Sequence, residues 1–85
     1  MKTITASTPV AERRFHDLDA FYLRGRNISA RPGSGECRIK VSHDDGATYD
    51  AVNVISGQPE AGTIRTYDLK IEFECTADAV LVVGN

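Results

Sequence analysis

Apolar and polar residues alternate without a break from Tyr67 to Cys75. Tyr67, Leu69, Ile71, Phe73 and Cys75 fall on one side of an extended chain, and Asp68, Lys70, Glu72 and Glu74 on the other. This period of two predicts a strand with one face in a core and one in water. On a helix the same apolar residues would be scattered around the circumference. Cys37-Arg38-Ile39-Lys40-Val41-Ser42 repeats the pattern, with Cys37, Ile39 and Val41 directed inward. Further strands are expected at 2–7, 20–24, 27–31, 51–55, 64–66 and 79–83. Turn clusters separate them: Pro32-Gly33-Ser34-Gly35, Asp44-Asp45-Gly46, Ser56-Gly57-Gln58-Pro59 and Ala61-Gly62. Short strands punctuated in this way predict an all-β fold. We expect a single small β-sandwich of about seven or eight short antiparallel strands, for which jelly-roll connections are one solution. Residues 8–15 fit this scheme least well. Thr8 reads as an N-cap and Pro9 as a first helical position, which gives one helical turn. An extended arm lying on a neighbouring subunit reads equally well. Residues 1–14 then form an N-terminal strand or arm, and 15–85 the sandwich of one domain.

Size sharpens this picture. A chain of 85 residues builds only a thin core, burying roughly 60 to 65% of its unfolded surface. Domains of this size commonly draw stability from disulfides, a metal or a partner subunit. The formal charge of −2 gives no bulk affinity for nucleic acid. No apolar run reaches the roughly 18 residues of a membrane span, so no membrane partner is expected. The start, MKTITASTPVAERR, lacks the apolar core of a secretory signal. We therefore expect cytoplasmic synthesis. Cys37 and Cys75 form no CxxC and fall in the alternating patterns. They read as buried thiols, or as a bridge if their strands come within disulfide reach. Charge is split along the chain. Residues 1–42 hold eight Lys or Arg and four acids, and 43–85 hold two basic residues and eight acids. Either subunits meet through opposite surfaces, or strands of the two halves interleave and the asymmetry disappears in space.

Candidate chemistry centres on Ser42-His43-Asp44-Asp45-Gly46-Ala47-Thr48-Tyr49. Gly46 supplies the positive φ of a tight turn, and an Asp side chain accepts from backbone N–H groups just ahead of it. Ser42 and Thr48 are placed to pair across the hairpin, and Tyr49 to pin its end. The stretch resembles the Asp-box hairpin, Ser/Thr-x-Asp-x-Gly-x-Thr-aromatic, of sialidases and many other β proteins, with Tyr49 where tryptophan is usual. The resemblance implies a folding element: Asp44 binding the turn backbone, Gly46 permitting it, and Thr48 and Tyr49 locking it. A many-bladed sialidase propeller is excluded by length. A wider pattern runs through 21–25, 39–52, 62–65, 67–75 and 79–83. It resembles small single-domain β-sandwich proteins of phages and prophages, which are virion components or attachments to the head or tail. This second resemblance implies a context and carries no functional residues.

Other constellations are thinner. His16-Asp17-Leu18-Asp19 and His43-Asp44-Asp45 are the dense ligand clusters, but neither has the spacing of a zinc, manganese or EF-hand site. They read as solvated strand ends. No Gly-x-Ser-x-Gly elbow is present, and Ser34 reads as a flexible loop tip. We expect no catalytic residues, no metal and no cofactor. Arg24, Arg26 and Arg31 near Phe21 and Tyr22 resemble the aromatic and basic face of an OB-like barrel. The acidic second half argues against phosphate affinity, so nucleic acid is not an expected partner. A sugar platform would draw on Tyr22, Tyr49 and Tyr67, and the chain has no Trp.

These readings converge on a non-enzymatic phage or prophage virion structural protein. It would decorate or stabilise a capsid, or serve as a head or tail accessory, by oligomeric assembly. Its partners would be itself, as dimer or trimer, and other virion proteins, with Arg13, Arg14, Tyr22, Arg24 and Arg26 as candidate contacts. Arg13 and Arg14 are expected to meet an acidic neighbour. The alternative is a small carbohydrate-binding or host-adhesion β-sandwich module.

Overall fold

The computed structural model describes residues 1–15, 27–63 and 70–84. Among these residues, eight strands and one helical turn follow in order: β1 (Lys2–Thr5), α1 (Val10–Arg13), β2 (Arg14–Phe15), β3 (Asn27–Arg31), β4 (Glu36–Val41), β5 (Asp50–Ser56), β6 (Glu60–Thr63), β7 (Ile71–Cys75) and β8 (Val80–Val83). They form two four-stranded sheets, β1-β8-β3-β6 and β2-β7-β4-β5. β1 pairs with β8, β2 with β7, β3 with β6 and β4 with β5, all antiparallel. The pairings β3–β8 and β4–β7 complete the sheets. This nested order is one long hairpin rolled on itself, the connectivity of a jelly roll.

The alternation seen in the sequence sets the core. Cys37 on β4 and Ile71, Phe73 and Cys75 on β7 face inward against Ile4, Ile28, Ala30, Leu81 and Val83 of the other sheet. Ile39 and Val41 pack on this cluster at its rim, as does Phe15, whose ring meets that of Phe73 edge-on at 5.7 Å. The segments 37–41 and 71–75 are neighbours within one sheet, with Cys37 opposite Cys75 in the register. Both cysteines are free and buried, their sulfurs 3.8 Å apart. Each thiol also lies near a carbonyl of the opposite sheet, Cys37 Sγ at 3.6 Å from Val80 O and Cys75 Sγ at 3.4 Å from Ile4 O. Burial, with Cys37 close by, pushes the Cys75 thiol up to about 12.

Several expectations change. Ala61-Gly62 is not a turn but the middle of β6, opposite Ser29 and Ile28. The two-residue strand β2 was not foreseen, because its pairing depends on β7 and not on local pattern. Residues 10–13 take the helical alternative, starting one residue later than expected. Pro9 holds the N-cap position without a side-chain bond, and the Thr8 hydroxyl instead accepts from the Thr5 amide at 2.9 Å. Ser34 is tied down, since its amide and hydroxyl both donate to Asp78 Oδ1 at 2.8 Å. The strands expected at 20–24 and 64–66, together with Tyr67 and Leu69, lie outside the described residues.

Candidate functional site

The β4–β5 connection builds the Asp-box turn as a closed hydrogen-bond cage. Asp44 Oδ1 accepts from the Ser42 hydroxyl and from the Thr48 amide, both at 2.8 Å, and Oδ2 accepts from the Thr48 hydroxyl at 2.6 Å. Ser42 Oγ in turn accepts from the Gly46 amide at 2.7 Å. Ser42 and Thr48 therefore do not pair with each other across the hairpin, because both converge on Asp44. Asp45 and Gly46 take φ of 59° and 94°, so the left-handed stretch begins one residue before the glycine. Lys70 holds Asp45 from outside, donating to its carbonyl at 3.0 Å and pairing with its carboxylate at 3.1 Å. The bonds from Thr48, followed by that from Ser42, hold the Asp44 carboxyl down at about 2. Tyr49 lies under Arg14, whose guanidinium carbon sits 4.5 Å from the ring centre.

The outer face of the sheet β2-β7-β4-β5 is a ladder of charges. Glu72 Oε1 accepts from Arg14 Nε at 2.8 Å, with Arg13 Nη1 at 3.9 Å, while Lys40 Nζ lies 3.4 Å from Oε2. Lys40 also reaches Glu74 at 3.4 Å, and Arg38 bridges Glu74 to Glu36. The flanking arginines and lysine leave Glu72 only 4% exposed, although it points away from the core. The bond from Arg38 and the charge of Lys40 hold the Glu74 carboxyl below its ordinary range, against desolvation. The ladder joins Arg14, Arg38 and Lys40 of the basic half to Glu72 and Glu74 of the acidic half. Interleaved strands thus answer the charge asymmetry on this sheet.

Arg13 and Arg14, read as partner contacts, have intramolecular partners. Arg13 donates from Nε to Thr8 O at 3.0 Å and from Nη1 to Phe73 O at 3.2 Å, and Arg14 is held by Glu72 and Tyr49. Within their own chain, both approach the carboxylate of Glu72. Tyr22, Arg24 and Arg26 lie outside the described residues, as do His16, Asp17 and Asp19. His43 and Asp50 are exposed, with Nδ1 and Oδ2 3.7 Å apart. Among the described residues no group of three or more His, Cys, Asp or Glu is placed to hold a metal ion.

The surface that composition and motif left unmarked is β5. Among the described residues it is, with β2, an edge strand of its sheet, and six of its seven residues are exposed, only Ile55 being buried. Val52 and Val54 are 59% and 48% exposed. The ladder with β4 shifts by one residue between Ile39 and Lys40, leaving Val52 opposite no residue of β4. Val54 lies opposite Arg38, on the outer face of the sheet. The sequence carries a signal for this edge: the run 51–56 has no charge, and its apolar residues occupy both parities. Compared with protein-family models, curated proteins and solved structures, the chain matches none.

Proposed function

We propose that the chain is a non-enzymatic structural component of a phage or prophage virion, a capsid-decorating or head- or tail-accessory protein that acts by oligomeric assembly. The observation that carries this reading is the exposed edge strand β5, whose run 51–56 is uncharged and presents Val52 and Val54, on a small jelly roll. An edge of this kind is a template for pairing with another chain unless charge, proline or a covering element blunts it. The pattern shared with small phage β-sandwich proteins supplies the context. The acids and bases of the neighbouring outer face neutralise one another within the chain, so the surface offers shape and backbone rather than a reactive group. Mechanism then means area: many copies, each adding a modest contact, stiffen the particle they line. For the glycan-binding alternative, Tyr49 is poorly placed, because Arg14 already lies on its ring.

The test is quantitative mass spectrometry of particles purified from the source culture. The expected result is peptides of this chain at many copies per particle. Particles that lack the chain, with the protein left in the soluble lysate, overturn the proposal.

A further inference from the structure

We infer that β5 pairs with β5 of a second copy of this chain, antiparallel and across a two-fold axis at Val54, so that two four-stranded sheets become one of eight strands. This rests on the assembly reading above and names its partner and register.

Among the described residues, four strands stand at sheet edges: β1 and β6 in one sheet, β2 and β5 in the other. β1 carries Lys2, β2 carries Arg14, and β6 carries Glu60 and the strand-weakening Gly62. β5 differs. It is the longest of the described strands, and although Asp50 stands at its start, Val52-Asn53-Val54-Ile55-Ser56 contains no charge and no proline. β-branched residues at three of these five positions favour an extended pairing. Among the described strands, the edge with the longest uncharged run is thus also the one that exposes large apolar side chains.

The register follows from keeping each side chain on its own face, since residues opposite one another in a sheet share a face. Pairing about Val54 sets Val54 against its symmetry mate on the outer face, Asn53 against Ile55 on the inner face, and Val52 against Ser56. The shift opposite Ile39 and Lys40 marks where regular pairing ends, and Asp50 lies beyond it. No like charges therefore face each other. Arg38, the nearest charge to Val54 on β4, is already held by Glu36 and Glu74. The exposed stretch from Ser56 to Gly62 continues the same margin and extends the contact. Such an interface is isologous and closes at two copies.

The experiment is a charge swap at Val54, a half-exposed side chain whose replacement leaves the core intact. Light scattering with size-exclusion chromatography on the native chain should show a dimer. Val54→Lys and Val54→Glu each place like charges face to face across the axis and should raise the dissociation constant about tenfold or more. An equimolar mixture of the two should recover the dimer as a heterodimer. Hydrogen exchange on the native chain at low and high concentration, which needs no variant to fold, should show protection of residues 52–56 gained with concentration. The inference is overturned by a native oligomer unaffected by either variant, by no recovery on mixing, or by exchange in 52–56 that ignores concentration. An oligomer that survives both variants leaves the assembly reading standing and removes only β5. A native chain that stays monomeric at high concentration removes this pairing, and the particle composition then decides the function separately.

Discussion

Asp44 commits both carboxylate oxygens to groups within four positions of itself, and through Ser42 it also orders the Gly46 amide. Asp44→Ala leaves the Thr48 amide and hydroxyl and the Ser42 hydroxyl without this acceptor. The expected outcome is a lower thermal midpoint with an unchanged far-ultraviolet spectrum. Asp44→Asn should fall between the two, because one side-chain oxygen remains as an acceptor. Circular dichroism melts of the three proteins check the order, and a midpoint for Asp44→Ala equal to that of the native chain would contradict the cage. This turn was legible in the sequence because its partners are sequence neighbours and each residue type has one geometric use. Glu72 was not legible in the same way. Its position gave its face, but its partners Arg14 and Lys40 stand 58 and 32 residues away along the chain, and only the β2–β7–β4 register brings them alongside.

At the scale of elements, strands whose apolar residues alternate were readable, and strands defined by their neighbours were not. β4 and β7 follow the period of two, and β3 falls on the expected 27–31. β6 was hidden by Ala61-Gly62, a pair with turn chemistry that the ladder with β3 holds extended. β2 is too short to show a period, and what fixes it is the load on its side chains: Arg14 to Glu72 on the outer face and Phe15 to Phe73 on the inner. The outer ladder therefore ties β2 and β4 to β7 through one carboxylate. Glu72→Ala takes the acid from the partly buried Arg13 and from Arg14, and leaves Lys40 with Glu74 alone. The expected loss is about 3 kcal/mol, at the lower end for a buried pair because Arg14 stays half in water. Urea denaturation checks it, and a loss below about 0.5 kcal/mol would place the pair among surface bridges of little weight.

For the whole molecule, the alternation predicted two sheets around one core, but the nesting of β1 with β8 and β2 with β7 depends on contacts between the ends of the chain that no local pattern encodes. The titrating groups set how stability follows pH. Asp44, Glu74 and Asp78 all have folded values held below the ordinary carboxylate range by hydrogen bonds from Thr48, Arg38 and Ser34. The unfolded chain thus takes up protons first on acidification. The stabilisation is complete above the unfolded carboxylate values of about 4 and is lost as pH falls through the folded values, down to about 2 for Asp44. Burial raises both thiols. The unfolded chain therefore loses thiol protons first on the alkaline side, and stability falls from about pH 9 as pH climbs toward the folded value of about 12 for Cys75. The melting temperature should form a plateau between these limbs, with the acid limb shallower in Asp44→Asn. A profile rising steadily from pH 3 to pH 10 would refute this. The pairing of Lys2 with Val83 carries one more consequence. The first and last strands bring the two ends of the roll side by side at one pole, while Gly57 sits in an open bend with nothing within 4 Å of where a side chain would begin. A circularly permuted gene, joined by a short linker across that pole and cut open at the bend, would encode the same roll with its termini moved next to β5.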